Sequence, residues 1–189
     1  MKKNILIMGL FISQTAFSAI LIKSQPNASE IQFEAIGRPS MIKIKGVGNA
    51  LASSINLNQN SLSGVIAFSL TSLKTGIDLR DEHMKEKYLQ VKKYPYAKLT
   101  INQLSLPASW SLKNPKVSSL PFKAQLQLHG VTKDVTGSFV IEDEKLKTNA
   151  EFEINLSDFG IEIPSYLGVK VADVVKINVM LGPQVINQN

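Results

Sequence analysis

Between residues 121 and 156 the chain alternates apolar and polar side chains with a period of two. Phe122, Ala124, Leu126 and Leu128 alternate with Lys123, Gln125, Gln127 and His129. Val135, Phe139 and Ile141 share a face, with Thr136 and Ser138 opposite. Leu146, Ala150, Phe152, Ile154 and Leu156 alternate with Lys147, Asn149, Glu151, Glu153 and Asn155. A helix, turning every ~3.6 residues, would smear this pattern around its axis, whereas a strand preserves it. Turn sequences at 130–134 and 142–145 separate the three runs, and turns this short join antiparallel neighbours. A sheet with one apolar face must cover it, and the rest of the chain has to supply the cover.

More strands flank this core. Ile31, Phe33 and Ala35 alternate with polar neighbours until Gly37 and Pro39 break the run. Residues 41–45 form another strand, with Ile42 and Ile44 on one face, and Gly46 and Gly48 then suggest a bulge or sharp bend. Residues 53–63 are polar and weakly patterned. Leu62, Ile66, Phe68 and Leu70 share a face, and residues 97–106 return to strand with a phase slip between Ile101 and Leu104. A bulge or the end of the strand explains the slip. Residues 105–120, with Pro107, Trp110 and Pro115, read as a long connection. Asp158-Phe159-Gly160 turns the chain and 164–168 is a loop. Val175, Ile177, Val179 and Leu181 make the final strand, followed by Gly182-Pro183 and a polar tail.

The segment 73–95 departs from this pattern. Thr75-Gly76 reads as a turn, Asp81 as an N-cap and Glu82 as a first-turn acid. Met84, Tyr88 and Val91 follow at helical spacing, and Pro95 ends the segment. The chain is therefore expected to be mainly β, with about eight antiparallel strands and one short helix, as a sandwich or closed barrel. About eight strands enclose an interior that is either filled by side chains or holds one small ligand.

Residues 1–18 have the form of a secretory signal peptide. Lys2 and Lys3 precede a short apolar run at 5–12, and Ala16-Phe17-Ser18 supplies small residues for cleavage after Ser18. That run is too short to span a bilayer, and no later segment is long and apolar enough to anchor the mature chain. Residues 19–189 suit one domain, with a core over about 30–182. The expected location is periplasmic or secreted.

The 189 residues carry a net charge of +6, of which Lys2 and Lys3 contribute two, leaving +4 for the mature chain. That excess is spread rather than clustered, and the Lys92-Lys93 pair with Tyr94 and Tyr96 is too small for a nucleic-acid interface. With no cysteine, disulfides, thiol catalysis and cysteine metal sites are excluded. The two histidines, His83 and His129, are far apart in sequence and neither has a second histidine at metal-ligand spacing. Arg80-Asp81-x-His83 fits either a polar ligand head or metal, or a plain helix start with a surface histidine. No Gly-x-Ser-x-Gly elbow or glycine-rich phosphate loop is present. No catalytic residue, metal or cofactor is expected. The phenylalanines Phe68, Phe122, Phe139 and Phe152 face inward, as core or as walls of a cavity.

Four motifs in order carry a more specific resemblance. They are Leu73-x-Thr75-Gly76-x-x-x-Arg80-Asp81-x-His83-Met84 with Tyr94-Pro95, then Leu126-x-Leu128-His129-Gly130-Val131-Thr132-Lys133. Asn155-x-Ser157-Asp158-Phe159-Gly160-Ile161 and Asp173-x-Val175-x-Ile177 complete the set. Together they resemble the YceI-like family. The resemblance implies an antiparallel lipocalin-like β-barrel, exported, non-enzymatic, whose apolar cavity takes a polyisoprenoid or another long amphiphilic chain. The tube would be lined by Phe68, Leu70, Phe122, Leu126, Leu128, Phe139, Phe152, Ile154, Val175 and Ile177. Met84 and Tyr88 would help close its mouth, and Arg80 and His83 would meet a polar head group. A lipid or quinone carrier follows. The alternatives are a stress-response or protein-interaction module with a side-chain-filled barrel, and a hydrolase or isomerase using His83 or His129. The sequence leaves a homodimer open.

Overall fold

The computed structural model describes residues 20–24, 28–38, 42–49, 51–166 and 169–188; the expected signal peptide lies outside them. The described strands are β1 (Ile20–Ser24), β2 (Glu30–Arg38), β3 (Ile42–Gly48), β4 (Leu51–Asn58), β5 (Ser61–Ser69) and β6 (Tyr96–Ser105). They continue with β7 (Val117–Leu128), β8 (Val131–Ile141), β9 (Thr148–Asn155), β10 (Ser165–Tyr166), β11 (Val169–Leu181) and β12 (Gln184–Gln188). Eleven run as one antiparallel path, β12-β1-β4-β5-β6-β7-β8-β9-β11-β2-β3, and the two-residue β10 pairs with β11 alone. The sheet curls into a half-barrel rather than a barrel closed by pairing all the way round. At the β3 end a single bridge, with Val47 N–H to Lys74 O and Lys74 N–H to Val47 O at 2.8 Å each, ties the last strand to the segment after β5.

The expectation of about eight strands falls short by β1, β4, β10 and β12. In β4, Leu51, Ser53, Ile55 and Leu57 point inward and their neighbours outward, but a serine at an inward position hides the alternation. Ser53 is buried there because its backbone N–H bonds Ser24 Oγ and its hydroxyl accepts from Ser24 N–H, both at 2.9 Å. The supposed polar tail is β12, hydrogen-bonded along β1 from Ser24↔Gln184 to Ile20↔Gln188.

The central hairpin is tighter than the turn expected at 130–134. His129 and Gly130 alone make it, with φ of 51° and 79°, the two positive values a two-residue turn matched to strand twist requires. Leu128 pairs directly with Val131. The slip between Ile101 and Leu104 is a bulge: between the pairs Leu62↔Leu104 and Gly64↔Ile101, one residue of β5 faces two of β6. Gly46 and Gly48, in contrast, mark no bulge, since β2 and β3 pair without interruption from Ile31↔Gly48 to Gly37↔Ile42. Their reason is room. A Cβ on Gly46 would lie 2.2 Å from the Phe33 ring, and one on Gly48 would lie 2.6 Å from the Phe68 ring.

The two ends of the half-barrel differ. At one end the connection after β6 folds over the interior. Trp110 is buried and its Nε1–H donates to Pro115 O at 2.9 Å. Leu106, Val117, Phe139, Ile141, Leu146 and Leu181 are buried in the same core. At the other end the chain from β5 to β6 passes through a 3-10 turn (Leu70–Ser72), the helix α1 (Asp78–His83) and a π turn (Met84–Tyr88). Asp81 is not the N-cap, because α1 starts at Asp78 after Ile77.

Candidate functional site

Beneath α1 the half-barrel is hollow. The cavity measures about 510 Å³ and is walled by inward faces of β2, β3, β5, β6, β7, β9 and β11. Register explains the wall. Phe152 pairs with Ile177 across β9 and β11, and Ile177 pairs with Phe33 across β11 and β2. One strand-residue row further on, Ile154, Val175, Ala35 and Ile44 lie side by side in the same manner. All of these line the cavity.

Of the residues expected to form the tube, Phe68, Leu70, Leu126, Leu128, Phe152, Ile154, Val175 and Ile177 line the cavity, as do Arg80, His83, Met84 and Tyr88 at the α1 end. Phe122 and Phe139 do not: both are buried core outside its lining. Phe122 meets Phe152 edge-on, with ring centroids 6.1 Å apart and planes at 85°, so it backs the wall that Phe152 presents. Gly137 makes this possible. A Cβ there would sit 2.9 Å from the Phe122 ring and 2.8 Å from Phe152 Cβ.

The structure adds wall residues that the sequence reading did not single out as lining. Phe33, Ile42 and Ile44 come from β2 and β3, Ile77 and Leu79 from the start of α1, and Val169 and Val171 from β11. The signal for Phe33 was present: it stands directly opposite Gly46, and a glycine facing an aromatic position marks a ring that lies across the neighbouring strand.

Polarity is confined. Thr75, Arg80, His83 and Ser165 are the lining residues that are neither apolar nor aromatic, and three of those four lie in the segment carrying α1. That segment is stapled by its own polar groups. Asp81 Oδ1 accepts from Thr75 N–H at 2.7 Å and from the Thr75 hydroxyl. Arg80 donates from Nε to Thr75 Oγ1 at 2.7 Å and from Nη2 to Thr75 O at 2.9 Å. Part of the Arg80 fork is thus committed to fixing the Thr75-Gly76 turn, where Gly76 takes φ of 81°. The exposed His83 and half-buried Arg80 stand beside it at the cavity's polar edge. Met84, Tyr88 and Leu89 turn inward and pack on the core.

The connection after β9 completes the wall with Leu156 and Ile161. Its 3-10 turn (Leu156–Phe159) is held to β11 by Asp173, which accepts from Ser157 N–H at 2.8 Å and from Ser157 Oγ at 2.5 Å. Those bonds, the hydroxyl's foremost, hold the Asp173 carboxyl below its ordinary value of 3.8. His129 has a related duty. Its Nδ1 donates to Phe159 O at 3.1 Å and its ring meets Tyr94 at 4.6 Å between centroids. It pins the β7–β8 turn to the chain on either side and is not among the lining residues. Among the described residues no group of three or more His, Asp or Glu side chains is placed to hold a metal ion.

The fold has known counterparts. A polyisoprenoid binding domain from Saccharophagus degradans superposes with a TM-score of 0.65 at 14% identity, covering 89% of this chain and 98% of that one. BcnA of Burkholderia cenocepacia gives 0.63 at 14% identity over 87% of this chain and 99% of its own. The YCEI protein of Campylobacter jejuni gives 0.52 at 18% identity over 77% and 86%. No curated protein matches the chain. The YceI-like domain family matches residues 23–182, a span that takes in β2 to β11 and the whole cavity wall, and the chain belongs to that family.

Proposed function

We propose that this protein is a non-enzymatic carrier that shelters a long apolar chain, an isoprenoid-type lipid or quinone, in the hollow beneath α1. The observation that carries this reading is the cavity itself: about 510 Å³, apolar in its depth, with Thr75, Arg80 and His83 gathered at one edge. At ~30 Å³ for a group the size of water, it has room for on the order of seventeen methylene-sized groups. Each buried methylene is worth ~0.8 kcal/mol before ordering and association costs are subtracted. Tight binding therefore needs no dense polar recognition, and Arg80 and His83 suffice to meet a head group. The polyisoprenoid binding named for the Saccharophagus degradans domain points the same way, as does membership of the family. A side-chain-filled interaction module would have no use for such a hollow.

The working location is the periplasm or beyond, with residues 1–18 removed as a leader and 19–189 acting as one domain. No described helix is long and apolar enough to cross a membrane. Organic extraction of gently purified protein, followed by mass spectrometry, tests the carrier reading. A prenyl lipid should be recovered, or an added prenyl alcohol taken up stoichiometrically. Failure of both recovery and uptake would refute it.

A further inference from the structure

We infer that the lip of the cavity docks on an anionic lipid surface, from which the apolar chain passes into the hollow; this rests on the carrier reading. Among the described residues nine large apolar side chains are exposed, and three of them, Ile42 at 48%, Ile77 at 54% and Leu79 at 50%, also line the cavity. A side chain that both walls a hollow and faces solvent stands on its lip. Ile42 belongs to β3, while Ile77 and Leu79 belong to the start of α1. The Val47–Lys74 bridge ties β3 to the segment that leads into α1. Apolar groups held half in water around an apolar opening mark a surface built to meet another apolar phase.

The charge around the lip selects the partner. From residue 73 to residue 93 the chain carries six cations, Lys74, Arg80, Lys85, Lys87, Lys92 and Lys93, against four carboxylates. The β2–β3 hairpin adds Arg38, Lys43 and Lys45 against Glu30 and Glu34. Lys170 on β11 stands directly opposite Arg38. Two like charges facing each other across a strand pair are unfavourable, and an anion laid across them relieves that repulsion. Among the described residues ion pairs engage Lys43, Lys45, Lys87 and Lys92, and none engages Arg38, Lys74, Lys85 or Lys170. An acidic protein would meet these cations too. Lipid fits better, because the hollow opens at the same lip and a tail leaving the leaflet there need not cross water.

Leu79→Trp supplies the test. Trp110 is the only native tryptophan and is buried, so new emission reports on the lip. With vesicles of equimolar phosphatidylglycerol and phosphatidylcholine, the emission of the full chain should shift to the blue and be quenched by brominated acyl chains. The half-saturating lipid concentration should rise by about tenfold or more on phosphatidylcholine alone, in raised salt, or when Ile42→Ser and Ile77→Ser are added. Unmoved emission overturns the docking, as does binding indifferent to those two serines. So does a concentration-dependent dimer that Ile77→Ser dissolves, which would assign the lip to a second copy. Uptake of dispersed prenyl alcohol, measured separately, keeps the two readings apart. Uptake without vesicle binding refutes docking alone, and vesicle binding without uptake refutes the carrier.

Discussion

Ala35→Phe should close part of the hollow without disturbing the fold. Ala35 lines the cavity and stands between Val175 on β11 and Ile44 on β3, both of which line it too. A phenylalanine there adds six carbons directed into empty space. At ~30 Å³ per group that is roughly 180 Å³, about a third of the 510 Å³ available. A bound chain pushed out by about six methylenes loses roughly 5 kcal/mol of gross burial. If folding back of the displaced portion recovers half, the remaining ~2.5 kcal/mol weakens binding roughly sixtyfold. The usual overpacking penalty of ~1–3 kcal/mol should not appear, because the new ring enters a void.

The assay is a titration with a fluorescent prenyl analogue, run beside thermal unfolding. Weaker binding with an unchanged or raised Tm is expected. Ala97→Phe repeats the test from β6, which has four strands between it and β2 along the path. Unchanged affinity in both variants, with Tm retained, would show that the chain binds elsewhere and would refute the placement of the ligand.

Gly137→Ala should lower stability by about 1–3 kcal/mol, read as a fall in the urea midpoint, since its Cβ would lie 2.1 Å from Glu151 O and within 3 Å of both Phe122 and Phe152. Asp81→Ala leaves Thr75 N–H and the Thr75 hydroxyl without their acceptor. It should loosen α1 by about 1–3 kcal/mol, seen as faster amide exchange over residues 75–89 with exchange in β7 and β8 unchanged. Asp173 has its folded pKa below the ordinary 3.8, so its contribution is fully present above that value and is lost as pH falls through the lower folded value. Asp173→Asn should therefore flatten the acid limb of a Tm-against-pH curve below about pH 4, and an unaltered limb would assign the acid sensitivity elsewhere.

The strands that sequence makes legible are those whose inward positions are all apolar. β7 reads clearly because Phe122, Ala124, Leu126 and Leu128 are all buried, so period and burial coincide. β4 has the same alternation but spends one inward position on Ser53, whose bonding partner Ser24 lies 29 residues away. Nothing local announces that partner. β12 is an edge strand of five residues whose pairing is with β1, and β1 directly follows the stretch expected as a leader, so both strands sit where the sequence pattern suggests none. The helix shows a different limit. Asp81 has the composition of a cap, yet its carboxylate serves the turn before the helix rather than the helix start.

The cavity was legible as a face and not as a volume. Alternation says that Phe122, Phe139 and Phe152 point inward, and all three are buried. Only packing decides which of them meets empty space. Phe139 pairs across β7–β8 with Leu120 and across β8–β9 with Ala150, toward the end that Trp110 covers. Phe152 pairs with Gly137 on one side and Ile177 on the other, toward the end that α1 roofs. The same inward period thus makes solid core at one end and wall at the other. What separates them is the cover: a loop anchored by a buried tryptophan against a short helix and a π turn that reach inward with Met84, Tyr88 and Leu89. The filled end is closed by that loop, while the segment that roofs the hollow is braced internally by the hydrogen bonds joining Thr75, Arg80 and Asp81 and tied to β3 by the Val47–Lys74 bridge.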